Sequence, residues 1–170
     1  MNTNKNLLVI AASDGENLKL ANRFVSLGEK MGTNPELLDL TSLDLPLFSP
    51  KKHAELGIPS TIEKLHSQMV SNTYWVICAP EYNGGVPPVL SNALTWVSVK
   101  SKYWRDSFNG KFAIIATHSG GDGYRFLSAF RSQLEYMGTN VLSRTISVSN
   151  ENPLNNESAT KILNSFINLV

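Results

Sequence analysis

Residues 79–88 form a loop whose residue types suit ligand binding. Its two glycines and three prolines fix an unusual backbone path, while Tyr82 offers an aromatic face and Asn83 an amide edge. Backbone N–H groups along such a path can donate to the edge of a flat heterocycle, and an aromatic ring can pack against it. The same residues also suit a tight strand-to-helix turn in which Tyr82 covers the core, so the residues alone allow both interpretations.

Another loop, residues 117–125, carries three glycines among residues 120–123. It follows an apolar run and precedes a segment with helical spacing, a position in which glycines let the backbone approach a ligand closely. Packing alone is a poor explanation for this density of glycines. His118 either hydrogen-bonds a ligand or serves as a polar cap at the end of a strand.

The elements around these loops must position them. Five short apolar runs rich in β-branched residues predict strands at residues 7–12, 36–40, 74–79, 112–117 and 141–148. Most of these runs are continuous rather than alternating, as in parallel sheets that helices cover on both faces. Helical spacing predicts helices at residues 18–31, 61–71, 88–99, 124–137 and 158–169.

Two smaller signals agree with these boundaries. Gly32 and Gly138 directly follow predicted helices, where a C-terminal cap favours a left-handed residue. Residues 45–53 contain prolines and small polar residues and predict a loop that passes over an edge of the sheet.

The alternation of strands and helices then predicts an α/β, doubly wound three-layer sandwich with a five-stranded parallel sheet in the order 2-1-3-4-5, the flavodoxin-like arrangement. In such a sheet a ligand binds outside the carboxyl ends of strands one, three and four.

Composition narrows the class of protein further. The 170 residues, 42% hydrophobic and 17% charged, suffice for one core, and we expect a single domain over residues 1–170. The net charge of +1 has no run of either sign, so we expect a small-molecule partner and neither nucleic acid nor membrane. The single cysteine, Cys78, lies in an apolar run and is interpreted as a buried thiol in a reducing compartment. With a polar N-terminus and no signal-peptide core, these features predict a cytoplasmic protein.

The run from residue 80 to residue 96, P-E-Y-N-G-G-V-P-P-V-L-S-N-A-L-T-W, carries a longer pattern. It closely resembles the P-E-Y-N-G-S-x-P-x-x-L-K-N-A-x-D-W signature of NAD(P)H-dependent FMN reductases, a family that also contains quinone, chromate and azo-dye reductases. The likeness extends more weakly over the whole chain, because the order of elements and the later glycine loop also fall where that family has them.

The resemblance implies an oxidoreductase that holds FMN non-covalently and uses NADPH or NADH as co-substrate. Hydride would pass from NAD(P)H through FMN to a quinone, azo compound or similar small acceptor, in ping-pong turnover without a catalytic acid, base or metal ion from the protein. It also implies a homodimer or homotetramer, for which Trp96, Tyr103 and Trp104 are either an interface patch or core. The implied FMN-binding residues are Ser13, Gly15, Asn17, Pro80, Glu81, Tyr82, Asn83, Gly84, Ser119, Gly120 and Gly121.

The loop after the first strand departs from the family pattern. Members typically carry G-S-x-R-x-x-S-x-N there, and hydroxyls, the arginine and helix N–H groups receive the FMN phosphate. Residues 11–18 of this chain are shorter, keep Ser13 and Asn17, lack the arginine and add Asp14 and Glu16. A helix N-terminus favours an anion, but carboxylates that point inward oppose it. Three alternatives follow for this loop: the acids turn to solvent, a base such as Lys19 reaches the phosphate, or the site binds FMN weakly.

Two other functions are compatible with the same fold. A flavodoxin-type electron carrier is one, although such carriers are usually strongly acidic and have a hydroxyl-rich phosphate loop, unlike this chain. The other is a family member that has lost tight FMN binding and acts as a binding or interaction protein, which the altered first loop favours.

The altered loop leads to a first prediction. We expect FMN to be retained less tightly than in family members that carry the arginine, because the phosphate loses a cationic partner and gains carboxylate neighbours. Extensive dialysis of the purified protein, followed by flavin absorbance, measures retention. A stoichiometric yellow protein after dialysis would contradict the prediction.

Overall fold

The computed structural model describes residues 6–169; Val170 and residues 1–5, on which the expectation about the N-terminus partly rests, lie outside the described residues. The elements follow in the order β1 (Asn6–Ala11), α1 (Glu16–Lys30), β2 (Asn34–Asp39), a 3₁₀ turn (Leu40–Leu43), α2 (Pro50–Leu56), α3 (Ser60–Ser71), β3 (Tyr74–Cys78), α4 (Pro88–Lys100), β4 (Phe112–His118), α5 (Tyr124–Tyr136), β5 (Asn140–Val141), β6 (Ile146–Val148) and α6 (Asn156–Ile167). The strands form one parallel sheet in the order β2-β1-β3-β4-β5, with β6 also paired to β4. The predicted fold class is confirmed.

The core lies on both faces of the sheet. Side chains of β1 alternate between the faces: Leu8 and Ile10 pack towards α3, α4 and α5, whereas Leu7 and Val9 pack towards α1 and α6. All five residues of β3 are buried. Burial on both faces explains why the strand sequences are continuously apolar.

Most predicted boundaries agree with the structure to within two residues. Gly32 and Gly138 follow their helices with φ of 75° and 95°, as a left-handed C-cap requires. Among residues 6–169 no helix has both the length and the apolar character needed to cross a membrane. The Cys78 thiol is buried, and burial raises its pKa, so it carries no thiolate character.

The last strand is not the single element predicted at residues 141–148. It is split into β5, which pairs with the start of β4, and β6, which pairs with its end. Between them the guanidinium of Arg131 on α5 donates to the carbonyl oxygens of Val141, Leu142 and Ser143 at 3.3, 2.6 and 3.3 Å. These bonds satisfy carbonyl groups that a continuous ladder would otherwise have used.

The segment at residues 45–53 is also only partly a loop. Ser49 caps α2, its hydroxyl accepting from Lys52 N at 3.0 Å, and Pro50 occupies the first helical turn, which proline favours. The residues before α2 are fixed to α4: Pro46 O accepts from Asn92 Nδ2 (3.1 Å) and Trp96 Nε1 (2.7 Å), and Phe48 N donates to Asn92 Oδ1 (2.8 Å).

Asn92 and Trp96 belong to the signature run, and here they hold residues 46–48 against the core. Trp96 is fully buried, and its ring meets Phe48 edge-on with centroids 5.1 Å apart. Of the three aromatics considered for an interface, Trp96 is therefore core, whereas Tyr103 and Trp104 are exposed. The second half of the signature is structural.

Replacing Asn92 tests this attachment. Asn92→Ala removes both side-chain bonds to residues 46 and 48, and we expect the free energy of unfolding to fall by about 1–3 kcal/mol. Urea denaturation measures the change. The exposed Thr95 lies on the same helix, and Thr95→Ala should change stability by about 0.5 kcal/mol or less. Equal effects at the two positions would show that the bonds of Asn92 to residues 46 and 48 add nothing to stability.

Candidate active site

A cleft of about 470 Å³ opens at the carboxyl edge of the sheet, within the size range of small-molecule sites. Four loops form it: the first loop follows β1, the second follows β3, the third follows β4 and the fourth follows β6. The lining residues are Ser13, Asp14, Gly15, Glu16, Asn17, Pro80, Glu81, Tyr82, His118, Ser119, Gly120, Ser149, Asn150 and Glu151. The position agrees with the switch point of a doubly wound sheet, where the direction of winding reverses.

Asn17 joins the first loop to the third. Its Nδ2 donates to His118 O at 2.9 Å and its Oδ1 accepts from His118 N at 2.8 Å. The side chain is only 2% exposed, so its amide completes the backbone hydrogen bonding at the end of β4. Asn17 was predicted as a binding residue, but both ends of its side chain are already used within the protein.

Ser119 and Glu81 join the second loop to the third. The Ser119 hydroxyl accepts from Glu81 N at 3.1 Å and lies 2.8 Å from the Thr117 hydroxyl. The Glu81 carboxylate accepts from Phe126 N at 2.9 Å, in the first turn of α5. Since Gly123 at the start of α5 supplies no side-chain cap, Glu81 provides the cap from a distant loop. Both side chains hold the cleft in shape.

The Tyr82–Gly85 segment is a tight hairpin turn. Tyr82 and Gly85 exchange backbone hydrogen bonds at 3.3 and 2.9 Å, and Asn83 and Gly84 both have positive φ, 51° and 73°. Two positive-φ residues in a two-residue turn define type I′, which favours Asn-Gly. The turn leaves the Tyr82 ring half exposed at the cleft, while Asn83 and Gly84 lie outside the cleft lining.

Glycine occupies its positions in the third loop for different physical reasons. A Cβ at Gly123 would lie 2.6 Å from Thr117 Cγ2, and its φ is +63°, so packing and conformation both require glycine there. A Cβ on Gly120 or Gly121 would meet no atom within 4 Å, and neither has a left-handed φ. The N–H groups of these two glycines have no acceptor within the described chain. They are open donors beside the cleft, as a ligand-binding loop needs.

The first loop combines open donors with acidic side chains. Ser13 is only 8% exposed and lines the cleft, and its hydroxyl has no hydrogen-bond partner among residues 6–169. Gly15 precedes α1 without a side-chain cap, which leaves N–H groups of the first turn available. Glu16 accepts from Lys19 Nζ at 2.6 Å, and that hydrogen bond lowers the pKa of its carboxyl. Its other oxygen lies 4.0 Å from His118 Nε2.

The structure thus brings eight of the eleven predicted residues to one cleft and leaves Asn83, Gly84 and Gly121 beside it. Their role in binding FMN stays a prediction. Sequence reasoning missed the fourth loop, Ser149 to Glu151, although a polar stretch after the last strand was the available signal. In the part of the chain that the structure describes, no group of three or more His, Cys, Asp or Glu side chains is arranged to hold a metal ion.

A family model described as NADPH-dependent FMN reductase matches residues 6–153, most of the chain and all but the last helix of the fold. The chain belongs to this family. It is 33% identical over 103 residues to a quinone reductase of Escherichia coli K12, a match that covers 59% of this chain and 53% of that protein. It is 32% identical over 90 residues to an NAD(P)H-dependent FMN reductase of Pseudomonas aeruginosa, covering 53% and 45%. The matches thus span about half the length of these relatives.

Among solved structures, the flavoenzyme NAD(P)H:(acceptor) oxidoreductase FerB of Paracoccus denitrificans superposes with a TM-score of 0.72 at 23% identity. The superposition covers 96% of this chain and 93% of FerB. At this identity the likeness supports the flavodoxin-like fold.

The family implies FMN, and the cleft can be tested for it. An isoalloxazine ring is flat and carries carbonyl oxygens along one edge, and the cleft offers an exposed Tyr82 ring and the unpaired N–H groups of Gly120 and Gly121. The unpartnered Ser13 hydroxyl suits the polyol chain of a flavin. The residues present therefore fit the ring and the polyol.

A variant of Asn17 tests how the cleft is held. Asn17→Ala leaves the N–H and carbonyl of His118 without their partners, and we expect the free energy of unfolding to fall by about 2–4 kcal/mol. Asn22 lies exposed on the same helix, and Asn22→Ala should change stability by about 0.5 kcal/mol or less. Urea denaturation compares the two. A loss below about 1 kcal/mol for Asn17→Ala would mean that water replaces its amide at little cost.

Proposed function

We propose that this protein is an NAD(P)H-dependent flavin oxidoreductase that reduces a quinone, azo compound or similar small acceptor. The observation that carries the proposal is the cleft itself, in which loops fixed by cross-loop hydrogen bonds present open backbone donors at the carboxyl edge of the sheet. Family membership supports the same reaction class. A single buried cysteine favours a reducing, cytoplasmic location.

The protein's part in the reaction is to bind and orient. The loops at residues 80–82 and 119–120 would hold the ring, with N–H groups of Gly120 and Gly121 donating to it. Because Glu81, Ser119 and Asn17 are each bonded to backbone or hydroxyl groups of the protein, they fix the loops that form the cleft. When bound, the flavin supplies the redox chemistry by accepting hydride from NAD(P)H and reducing the acceptor.

The open rim of the cleft is where the co-substrate and the acceptor would enter in turn. The Tyr82 ring is half exposed there and offers a face to a nicotinamide or a quinone. The guanidinium arm of Arg125 lies against the turn, with its Cδ 3.3 Å from the position a Cβ on Gly84 would take.

We also expect a homodimer or homotetramer, which light scattering at micromolar concentration measures.

Two measurements test the proposal together. Flavin-stripped protein is titrated with FMN while flavin fluorescence is followed, and then NADPH and NADH oxidation is measured with a quinone acceptor. We expect saturable binding and flavin-dependent turnover. Absence of binding at tens of micromolar of both FMN and riboflavin would instead favour a family member that has lost its flavin and acts as a binding protein.

The variant Gly120→Val sharpens this test. A Cβ at this position meets no atom of the protein within 4 Å, so we expect near wild-type stability. Because Gly120 lines the cleft, the added side chain should weaken flavin binding about tenfold to a hundredfold. Gly121→Val is the comparison variant: the position is equally open to a Cβ and keeps its N–H group, but it lies outside the lining, so we expect a smaller loss of binding. Equal losses at both positions would mean that loop backbone, and not cleft volume, decides binding.

A further inference from the structure

Formal charges around the cleft have one sign. Four carboxylates, those of Asp14, Glu16, Glu81 and Glu151, belong to its lining, and none of its lining residues is a lysine or arginine. His118 is the one lining residue that can become cationic, and its ring faces Glu16. A ligand in this cleft therefore meets a negative potential.

Two of the carboxylates have their charge offset locally. Glu16 is paired with Lys19 at 2.6 Å, and Glu81 accepts from the first turn of α5, whose helix dipole favours an anion. Asp14 and Glu151 are exposed and have neither an ion pair nor a side-chain hydrogen bond within the described chain. These two are the uncompensated charges.

The cationic side chains near the cleft already have partners within the protein or lie away from the first loop. Lys19 and Arg23 lie one turn apart on α1 and line a neighbouring depression that shares Glu16 and His118 with the cleft. Lys19 would have to leave Glu16 to reach a ligand, and Arg23 would have to leave Asn156 Oδ1, to which it donates at 2.7 Å. Arg125 lies at the Tyr82–Gly85 turn, away from the first loop. A dianionic phosphate near the first turn of α1 would gain the helix dipole but no side-chain cation, and it would face Asp14.

Uncharged groups find better partners at the same place. The unpartnered hydroxyl of the largely buried Ser13 can both donate and accept, so it pairs with the hydroxyls of a polyol chain as readily as with an anion. The N–H groups at the start of α1 can likewise donate to a hydroxyl oxygen.

From these observations we infer that the cleft selects flavins by charge and binds riboflavin, which lacks the phosphate, at least as tightly as FMN. The inference rests on the proposed function, because it requires that the isoalloxazine ring binds in this cleft. It makes the flavin an exchangeable ligand whose ring and polyol, and not its phosphate, provide the affinity.

Parallel titrations of the stripped protein with riboflavin and FMN test the inference by fluorescence quenching, without any activity measurement. The measured quantity is the ratio of the FMN Kd to the riboflavin Kd at about 0.01 M and about 1 M salt, between which the screening length falls from about 30 Å to about 3 Å. We expect a ratio of one or more at low salt that decreases at high salt, because screening removes the repulsion.

Charge-neutralising variants locate the source of the repulsion. Asp14→Asn and Glu151→Gln should each lower the FMN Kd by about two- to fivefold, the range for exposed charge pairs, and leave the riboflavin Kd unchanged. Glu29→Gln is the matched control: it removes an exposed carboxylate near the opposite end of α1, about 20 Å along the helix, and should alter neither Kd.

The outcomes separate the two proposals. FMN bound more tightly than riboflavin, with an advantage that salt weakens, would overturn the charge selection while the proposed oxidoreductase stands. Variants that leave the FMN Kd unchanged would also overturn it. Failure of both flavins to bind would overturn the proposed function and this inference with it.

Discussion

The carboxyl edge of the sheet depends on side chains that satisfy the backbone of a different loop. Loops after parallel strands have no ladder partner, and their buried N–H and carbonyl groups must be paired in some other way. Asn17 pairs both backbone groups of His118, and Glu81 caps α5 from the loop after β3. Three loops are thereby fixed relative to one another, and the cleft between them has a defined shape before any ligand arrives.

The use of polar side chains to pair loop backbone limits the chemistry that these side chains can do in the cleft. Asn17 and Ser119, which sequence alone would place in the binding machinery, act as supports because their polar atoms already pair with groups of the protein. Besides these supports, the cleft offers backbone N–H groups, the Ser13 hydroxyl, the Tyr82 ring and the carboxylates of Asp14 and Glu151. Such a set binds and orients a heterocycle and leaves electron transfer to a cofactor, in keeping with a redox family and unlike a hydrolytic site.

The parts of this fold that depend on local pattern were predictable. Continuous apolar runs located the strands, and glycines after helices located their caps. The break between β5 and β6 was not predictable, because it depends on Arg131 reaching carbonyl groups on another element. The same holds for Asn17, whose partner lies 101 residues away. Within the glycine loop, a Cβ at Gly120 would meet no other atom, whereas the contact with Thr117 requires glycine at position 123, which only the packed structure reveals.

The signature run also divides into two physical parts. Its first half forms the type I′ turn and the cleft wall, and its second half fixes residues 46–48 through Asn92 and Trp96. A sequence can therefore keep the whole run for reasons of folding while the loop after β1, where we propose that a flavin phosphate would lie, changes independently. Charge at that loop is set by exposed residues such as Asp14, which the core does not constrain. The residues that carry the family signature and the residues that we propose to face the phosphate of FMN are therefore different residues, held under different packing constraints.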